Sequence, residues 1–239
     1  MPYRAFNLEE VSSYLHVSAA DIQLLVKRGE IPVEKKGERL VFRKKEIDEW
    51  ASRRILGLSG KPLQEFHRKA SARAFDVSQE HALFPILMKS AFVEPHLRSK
   101  TKASVLRDMV NLADSTGLVH QKEELLKTIL EREEMCSTAL PGGMAMLHPR
   151  TPDPYLFETS FVALGRTIQP IPFGAPDGLA TDLFFMICCQ DDRLHLHVLA
   201  RLCTICLNAS VLLDLRKAET ASELYDALLE AELDVIKTL

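Results

Sequence analysis

Residues 132–150, REEMCSTALPGGMAMLHPR, decide how the larger part of this 239-residue chain is read. Pro141-Gly142-Gly143 has the composition of a tight turn, and it feeds Met144 to Leu147, a short apolar run suited to a buried strand. The run ends on His148, which Pro149 and Arg150 follow. An imidazole, with a reference pKa of about 6.5, is nucleophilic near neutral pH. At the tip of a rigid strand it is expected to be positioned without being buried. The same placement suits a purely structural histidine, so the run alone leaves both readings open.

Upstream of this stretch, Val105, Leu106, Met109, Val110 and Leu112 predict a helix over Lys102 to Ala113, and a second covers Lys122 to Glu134. Downstream, Phe161 to Leu164 and Asp182 to Cys189 read as strands. Asp191 or Asp192 opens a helix along LHLHVLARLCTICL, and Thr220 with Glu223 forms a capping box for the last helix. This alternation predicts an α/β domain over residues 81–239, with a mixed sheet flanked by helices. Residues 56–80 lack sustained periodicity and hold Gly57, Gly60 and Pro62, which reads as a linker with one helical stretch from Pro62 to Ala74.

With 46% hydrophobic and 26% charged residues, the chain has the composition of an ordinary globular protein. No apolar run approaches the roughly 18 residues a membrane span needs, and MPYRAFNLEE lacks the apolar stretch of a secretory signal. The expected location is the cytoplasm, without membrane insertion. Of five cysteines, Cys188, Cys189, Cys203 and Cys206 sit among apolar residues, as reduced, buried thiols would. Cys203 and Cys206 have the two-residue gap of a zinc or redox site, but there is no second such pair to complete four ligands. His195 and His197 stand at i and i+2, about 200° apart on a helix, and are poorly placed to share an ion. No metal and no cofactor are expected.

The net charge of −3 is unevenly divided: residues 1–74 hold 15 Lys+Arg against 10 Asp+Glu, and the remainder 15 against 23. Within the basic head, Asn7 with Glu10 makes a capping box ahead of Val11, Tyr14 and Leu15. Ser18 with Asp21 begins a second helix, whose Ile22, Leu25 and Val26 face inward and which Gly29 ends. Turn residues around Gly37, flanked by Val33 and Leu40 to Phe42, predict a short hairpin, and a helix with Ile47 and Trp50 closes the core. The predicted fold of residues 1–55 is a small winged helix-turn-helix.

This head, through LEEVSSYLHVS, VKRGEIP and VFRKKEIDEW, resembles the excisionase-like, or MerR-like, helix-turn-helix family. The resemblance implies that the second helix enters the major groove of DNA. Of its early residues only Gln23 can read a base edge, whereas Asp21 and Leu24 are poor contacts. Lys27, Arg28, Lys35, Lys36, Arg39 and Arg43 are the candidate phosphate contacts. A dimerisation or docking surface is the alternative use of the same fold.

The stretch around His148 resembles the phosphorylation segment of phosphotransferase enzyme IIA domains of the fructose, mannitol and nitrogen-regulatory class. Arg132, Ser137, Thr138, Gly143, Ala145 and His148 stand in register with it. PFGAPDGLATDLFFMICCQDDRLHLHVLARL resembles that family's later strand and helix. The resemblance implies that His148 accepts a phosphoryl group from a histidine-containing phosphocarrier protein, with His195 as the second histidine and Arg132 near the phosphohistidine. Ser137, Thr138 and Arg150 are the candidate phosphate-binding residues. Leu147 and Pro149 stand where the family usually has Pro and Gly, and Pro149 removes an N–H that could face a phosphate.

Three functions follow as expectations. The first is a regulatory, nitrogen-type bacterial phosphoryl carrier forming a phosphohistidine. The second is a sugar-specific component donating to the cysteine of a IIB domain. The third is a DNA-binding transcriptional regulator whose IIA-like domain is a sensor. The partners they name are the phosphocarrier protein, DNA, a IIB domain or a regulated target, and a second copy of the chain.

Overall fold

The computed structural model describes residues 5–15, 17–37, 39–57, 82–150, 153 and 155–237. The helix predicted from Pro62 to Ala74 lies outside them.

The head follows its local signals. Asn7 and Glu10 exchange backbone-to-side-chain hydrogen bonds of 2.8 and 2.9 Å, the capping box that opens α1 (Leu8–Leu15). Ser18 caps α2 (Ala19–Arg28), and Gly29 ends it at φ 68°. β2 (Glu34–Lys36) and β3 (Arg39–Arg43) form the wing hairpin, and β1 (Ala5–Phe6) adds a third strand in the order β1-β3-β2. Two residues of strand gave no periodicity to read. α3 (Lys44–Leu56) closes the core with Ile47, Ala51 and Ile55, all buried.

In the body, α4 (Phe84–Leu87) leads to β4 (Val93–Leu97), α5 (Lys102–Ser115) and α6 (Lys122–Met135). Next come β5 (Ala139–Leu140), β6 (Met144–Leu147), β7 (Phe161–Ile171) and β8 (Thr181–Cys188). Helices α7 (Asp192–Cys206), α8 (Ala209–Lys217) and α9 (Ala221–Lys237) complete the chain. The sheet order is β4-β7-β8-β6-β5. β4 runs parallel to β7 and β6 parallel to β8, whereas β7–β8 and β5–β6 are antiparallel. The sheet is mixed, as expected.

Period-two alternation divides it between two cores. Met144, Met146, Leu183, Phe185 and Ile187 face the layer of α7 to α9, while Ala145, Leu147, Phe184, Met186 and Cys188 face α5 and α6. Because both faces are covered, the central strands read as continuous apolar runs. β7 extends past the predicted Leu164: pairing with β8 continues through Arg166 and resumes at Ile171 opposite Thr181, across a polar stretch that hides the strand from pattern reading. β4, β5 and α8 were not expected from the sequence; the first two are short, and β4 contains Pro95.

The last helix is fixed by a buried charge. Glu232 accepts from the backbone N–H groups of Leu83 and Phe84 at 2.8 and 3.0 Å and from Arg201 on α7 at 3.1 Å. Arg201 and Glu232 are both fully buried. Glu232→Ala takes this shared acceptor from Arg201 and from both N–H groups at once, and is expected to lower the unfolding free energy by about 3–5 kcal/mol. Urea denaturation measures it, and a loss below about 1 kcal/mol, the worth of a surface pair, would contradict this role.

Candidate phosphoryl-transfer site

The parallel pairing of β6 and β8 builds the site. Leu147 lies opposite Met186, so the chain leaves both strands at the same end of the sheet. It passes directly into His148 from β6, and from β8 through the cap residue Asp191 into α7. Asp191 accepts from the N–H groups of Arg193 and Leu194, which sets the first turn and, just beyond it, His195. The two imidazole rings lie 4.9 Å apart, centroid to centroid, tilted by 51°. The C-terminal ends of parallel strands are where α/β folds commonly carry ligands.

Arg132, in the last turn of α6, donates from Nε to His148 Nε2 at 3.0 Å and from Nη1 to the Cys136 carbonyl at 3.1 Å. His148 Nδ1 lies 2.8 Å from the Met146 carbonyl oxygen. A carbonyl only accepts, so Nδ1 is assigned the ring hydrogen and Nε2 is left with its lone pair toward Arg132.

His148 is buried, at 2% exposure, and His195 at 6%. This corrects the expectation of an unburied strand tip: a second ring, an arginine and the start of a helix crowd around it. Burial, reinforced by His195 and the Arg132 cation, holds His148 well below the usual imidazole range. Burial first and Arg132 second push His195 down to about 4. Both rings are neutral at pH 7. Arg132 is itself buried, and among the described residues its Nη2 has no hydrogen-bond partner. A buried cation with a donor to spare beside a neutral imidazole suits an oxyanion.

The other predicted site residues have different partners. Ser137 Oγ donates to the Phe173 carbonyl at 3.0 Å and accepts from Ala139 N–H at 3.2 Å. The hydroxyl of buried Thr138 donates to Glu133 at 2.6 Å, and Glu133 also pairs with Lys102 at 2.7 Å. These bonds hold the loop between α6 and β5. Arg150 Nε donates to Glu49 of the head at 3.0 Å. The structure thus brings His148, His195 and Arg132 together and gives Ser137, Thr138 and Arg150 protein partners.

On the head, Gln23, Lys27, Arg28, Lys35, Lys36, Arg39 and Arg43 are all exposed. Arg43 bonds Glu34 at 2.6 Å, and Arg28 lies 4.0 Å from Glu30. Sequence reading missed Tyr14, Lys44, Asp48 and Glu49, which meet the body beside the histidines. Only the i,i+4 spacing of Lys44 and Asp48 was legible, because Asp192, which Lys44 also reaches, and Arg150, which pairs with Glu49, lie in the other unit.

Residues 86–231, more than half of the chain, match the family model described as phosphoenolpyruvate-dependent sugar phosphotransferase system, EIIA 2. The chain belongs to that family. Residues 5–55 match a helix-turn-helix domain model. The IIA part is 31% identical over 142 residues to a nitrogen regulatory protein of Klebsiella oxytoca, covering 57% of this chain and 82% of that protein. It is 27% identical over 142 residues to the fructose-specific EIIABC component of Bacillus subtilis, covering 59% of this chain and 22% of that longer protein. The fold matches the crystal structure of nitrogen regulatory protein IIA-Ntr from Neisseria meningitidis, with TM-score 0.55 and 22% identity over 62% of this chain and 99% of that one. It matches IIA mannitol from Escherichia coli with TM-score 0.53 and 18% identity, over 59% and 98%. Among the described residues no single helix is long and apolar enough to cross a membrane.

Two histidines held neutral make this EIIA-type protein sensitive to acid. Below about pH 6.5 the unfolded chain binds protons that the native state refuses, so stability falls with pH by up to ~1.4 kcal/mol per unit for each ring. For His195 the decline runs from about 6.5 to about 4. Denaturation at a series of pH values is expected to show a shallower decline for His195→Gln than for wild type. Equal slopes would mean that His195 titrates normally.

Proposed function

We propose that this protein is a regulatory phosphoryl carrier of the nitrogen type, which accepts phosphate on His148 from a histidine-containing phosphocarrier protein. The observation that carries this reading is the tautomer of His148: Nδ1–H is held by the Met146 carbonyl, and an Nε2 lone pair lies beside Arg132. That lone pair attacks the phosphorus of the donor's phosphoimidazole. The new N–P bond forms as the donor's N–P bond breaks, and that bond's electron pair returns to the donor nitrogen. Nδ1 keeps its proton, and the Met146 carbonyl supports the positive charge the ring gains. Arg132 moves from Nε2 to the phosphoryl oxygens, and His195 supplies a second polar ring within reach. Similarity to the nitrogen regulatory proteins and fusion to a helix-turn-helix unit support the regulatory role.

Incubation with phosphoenolpyruvate and the general phosphotransferase proteins is expected to add one acid-labile phosphoryl group to the wild type and none to His148→Ala. Arg132→Ala is expected to slow the transfer by about 10²–10³-fold, as loss of a charge-stabilising donor does. Between pH 8 and pH 6 the acceptor reactivity of His148 stays level, because the ring is already neutral. An unmodified wild type rejects the carrier reading.

The exposed basic residues of α2 and the wing favour a second reading, a DNA-binding regulator with a IIA-type sensor. Gel-shift titration across a salt series tests it: retardation that weakens steeply with salt supports it, and none at low salt rejects it.

A further inference from the structure

The helix-turn-helix unit is packed on the face of the IIA unit that carries the histidines. α3 lies against α7. Lys44 on α3 bridges Asp48, at 3.0 Å, to Asp192 at the start of α7. The Tyr14 hydroxyl donates to Asp48 at 2.5 Å, and Glu49 holds Arg150, two residues beyond His148. Apolar packing is continuous across the join, with Tyr14, Ile47 and Ile55 in one cluster with Leu196 and Leu199.

Where Tyr14, Asp48 and Ser52 face Pro149, Arg150 and His195, the space left is a cavity of about 10 Å³, room for at most one water. His148 is one ring away from it. A phosphoryl group brings three acceptor oxygens and a charge of about −1.5 to −2. The closed join gives it no room on the side facing the head, where the cations Lys44 and Arg150 are already paired with carboxylates. Its facing residues include the Asp48 and Asp192 carboxylates, and Asp192 Oδ1 has no hydrogen-bond partner among the described residues. Asp48 is already raised above the usual carboxylate range, by burial and by Asp192. The nearby guanidinium of Arg150 is held by a carboxylate of the head.

We propose that α3 is an intramolecular lid over the His148–His195 pair, closed only while that pair carries no anion, so that head docking and phosphorylation of His148 exclude one another. The identity of the anion rests on the phosphoryl-carrier reading; the lid itself rests on the contacts across the join. A phosphoryl group draws Arg150 away from Glu49, repels Asp48 and Asp192, and frees the head. The phosphorylation state of the body then governs how the helix-turn-helix unit is presented.

Two measurements on the full chain test this. In the first, diethyl pyrocarbonate modifies His148 and His195 in wild type and in Ser52→Arg, which wedges the join apart, with Glu49→Arg as a milder second variant. The lid predicts modification about tenfold faster once the join is open; equal rates in wild type and both variants overturn it. In the second, hydrogen exchange over residues 44–56 is compared in His148→Asp, whose carboxylate stays ionised beside Arg132, and the neutral His148→Gln. Faster exchange of α3 in the Asp variant alone, with β6 and β8 still protected, supports anion-driven release. Equal protection of α3 in both overturns it. If both results hold yet the phosphocarrier protein labels neither wild type nor Ser52→Arg, the lid stands and the phosphoryl-carrier reading falls.

Discussion

The parallel pairing of β6 with β8 is the constraint on which the site depends. Strands that run the same way end at the same edge, so a residue just after one and a helix just after the other are brought together whatever their separation in sequence. His148 and His195 are 47 positions apart, and this pairing places their rings 4.9 Å from each other. An antiparallel β6–β8 pair would send them to opposite ends of the sheet. The hairpin of β5 and β6 fixes where β6 begins, and Gly142 and Gly143, at φ 92° and 82°, provide the backbone conformation of its turn.

Around that scaffold the electrostatics favour a neutral nucleophile. A protonated imidazole has no lone pair to offer a phosphorus atom, and a buried one beside an arginine is held neutral twice over, by lost hydration and by like charge. The Met146 carbonyl then chooses which nitrogen keeps its hydrogen. Arg132 is held by the Cys136 carbonyl, and the neighbouring loop is locked by Glu133 to Thr138 and Lys102. Ser137 and Thr138 thus tie down the loop that follows the arginine.

The helix-turn-helix unit is more than an appendage. The basic side chains of its second helix and wing are exposed, while its third helix joins the body through apolar packing, an ion pair to Arg150 and the Lys44 bridge between Asp48 and Asp192. The half-buried Lys44–Asp48–Asp192 cluster adds little net stability, because each charge loses water in forming it. Its chemical character matters more: the carboxylates at the join discriminate against a second anion.

Much of this was legible in the chain. Capping pairs such as Asn7 with Glu10 and Thr220 with Glu223, the Gly29 stop and the apolar run Met144–Leu147 act within a few residues, and each forms where the sequence indicates. REEMCSTALPGGMAMLHPR pointed to His148 and Arg132 only through its resemblance to the IIA phosphorylation segment, since the apolar run alone left a structural histidine equally open. The burial of His148, the hydrogen on its Nδ1, the commitment of Ser137 and Thr138 to the loop, and the contact of Glu49 with Arg150 were decided only by the tertiary structure. Capping and turn geometry depend on neighbours along the chain; the tautomer of His148 depends on how the backbone carries the Met146 carbonyl back to its ring, and hydration and ion pairing depend on groups that folding brings from elsewhere in the fold, none of which a spacing along the sequence records.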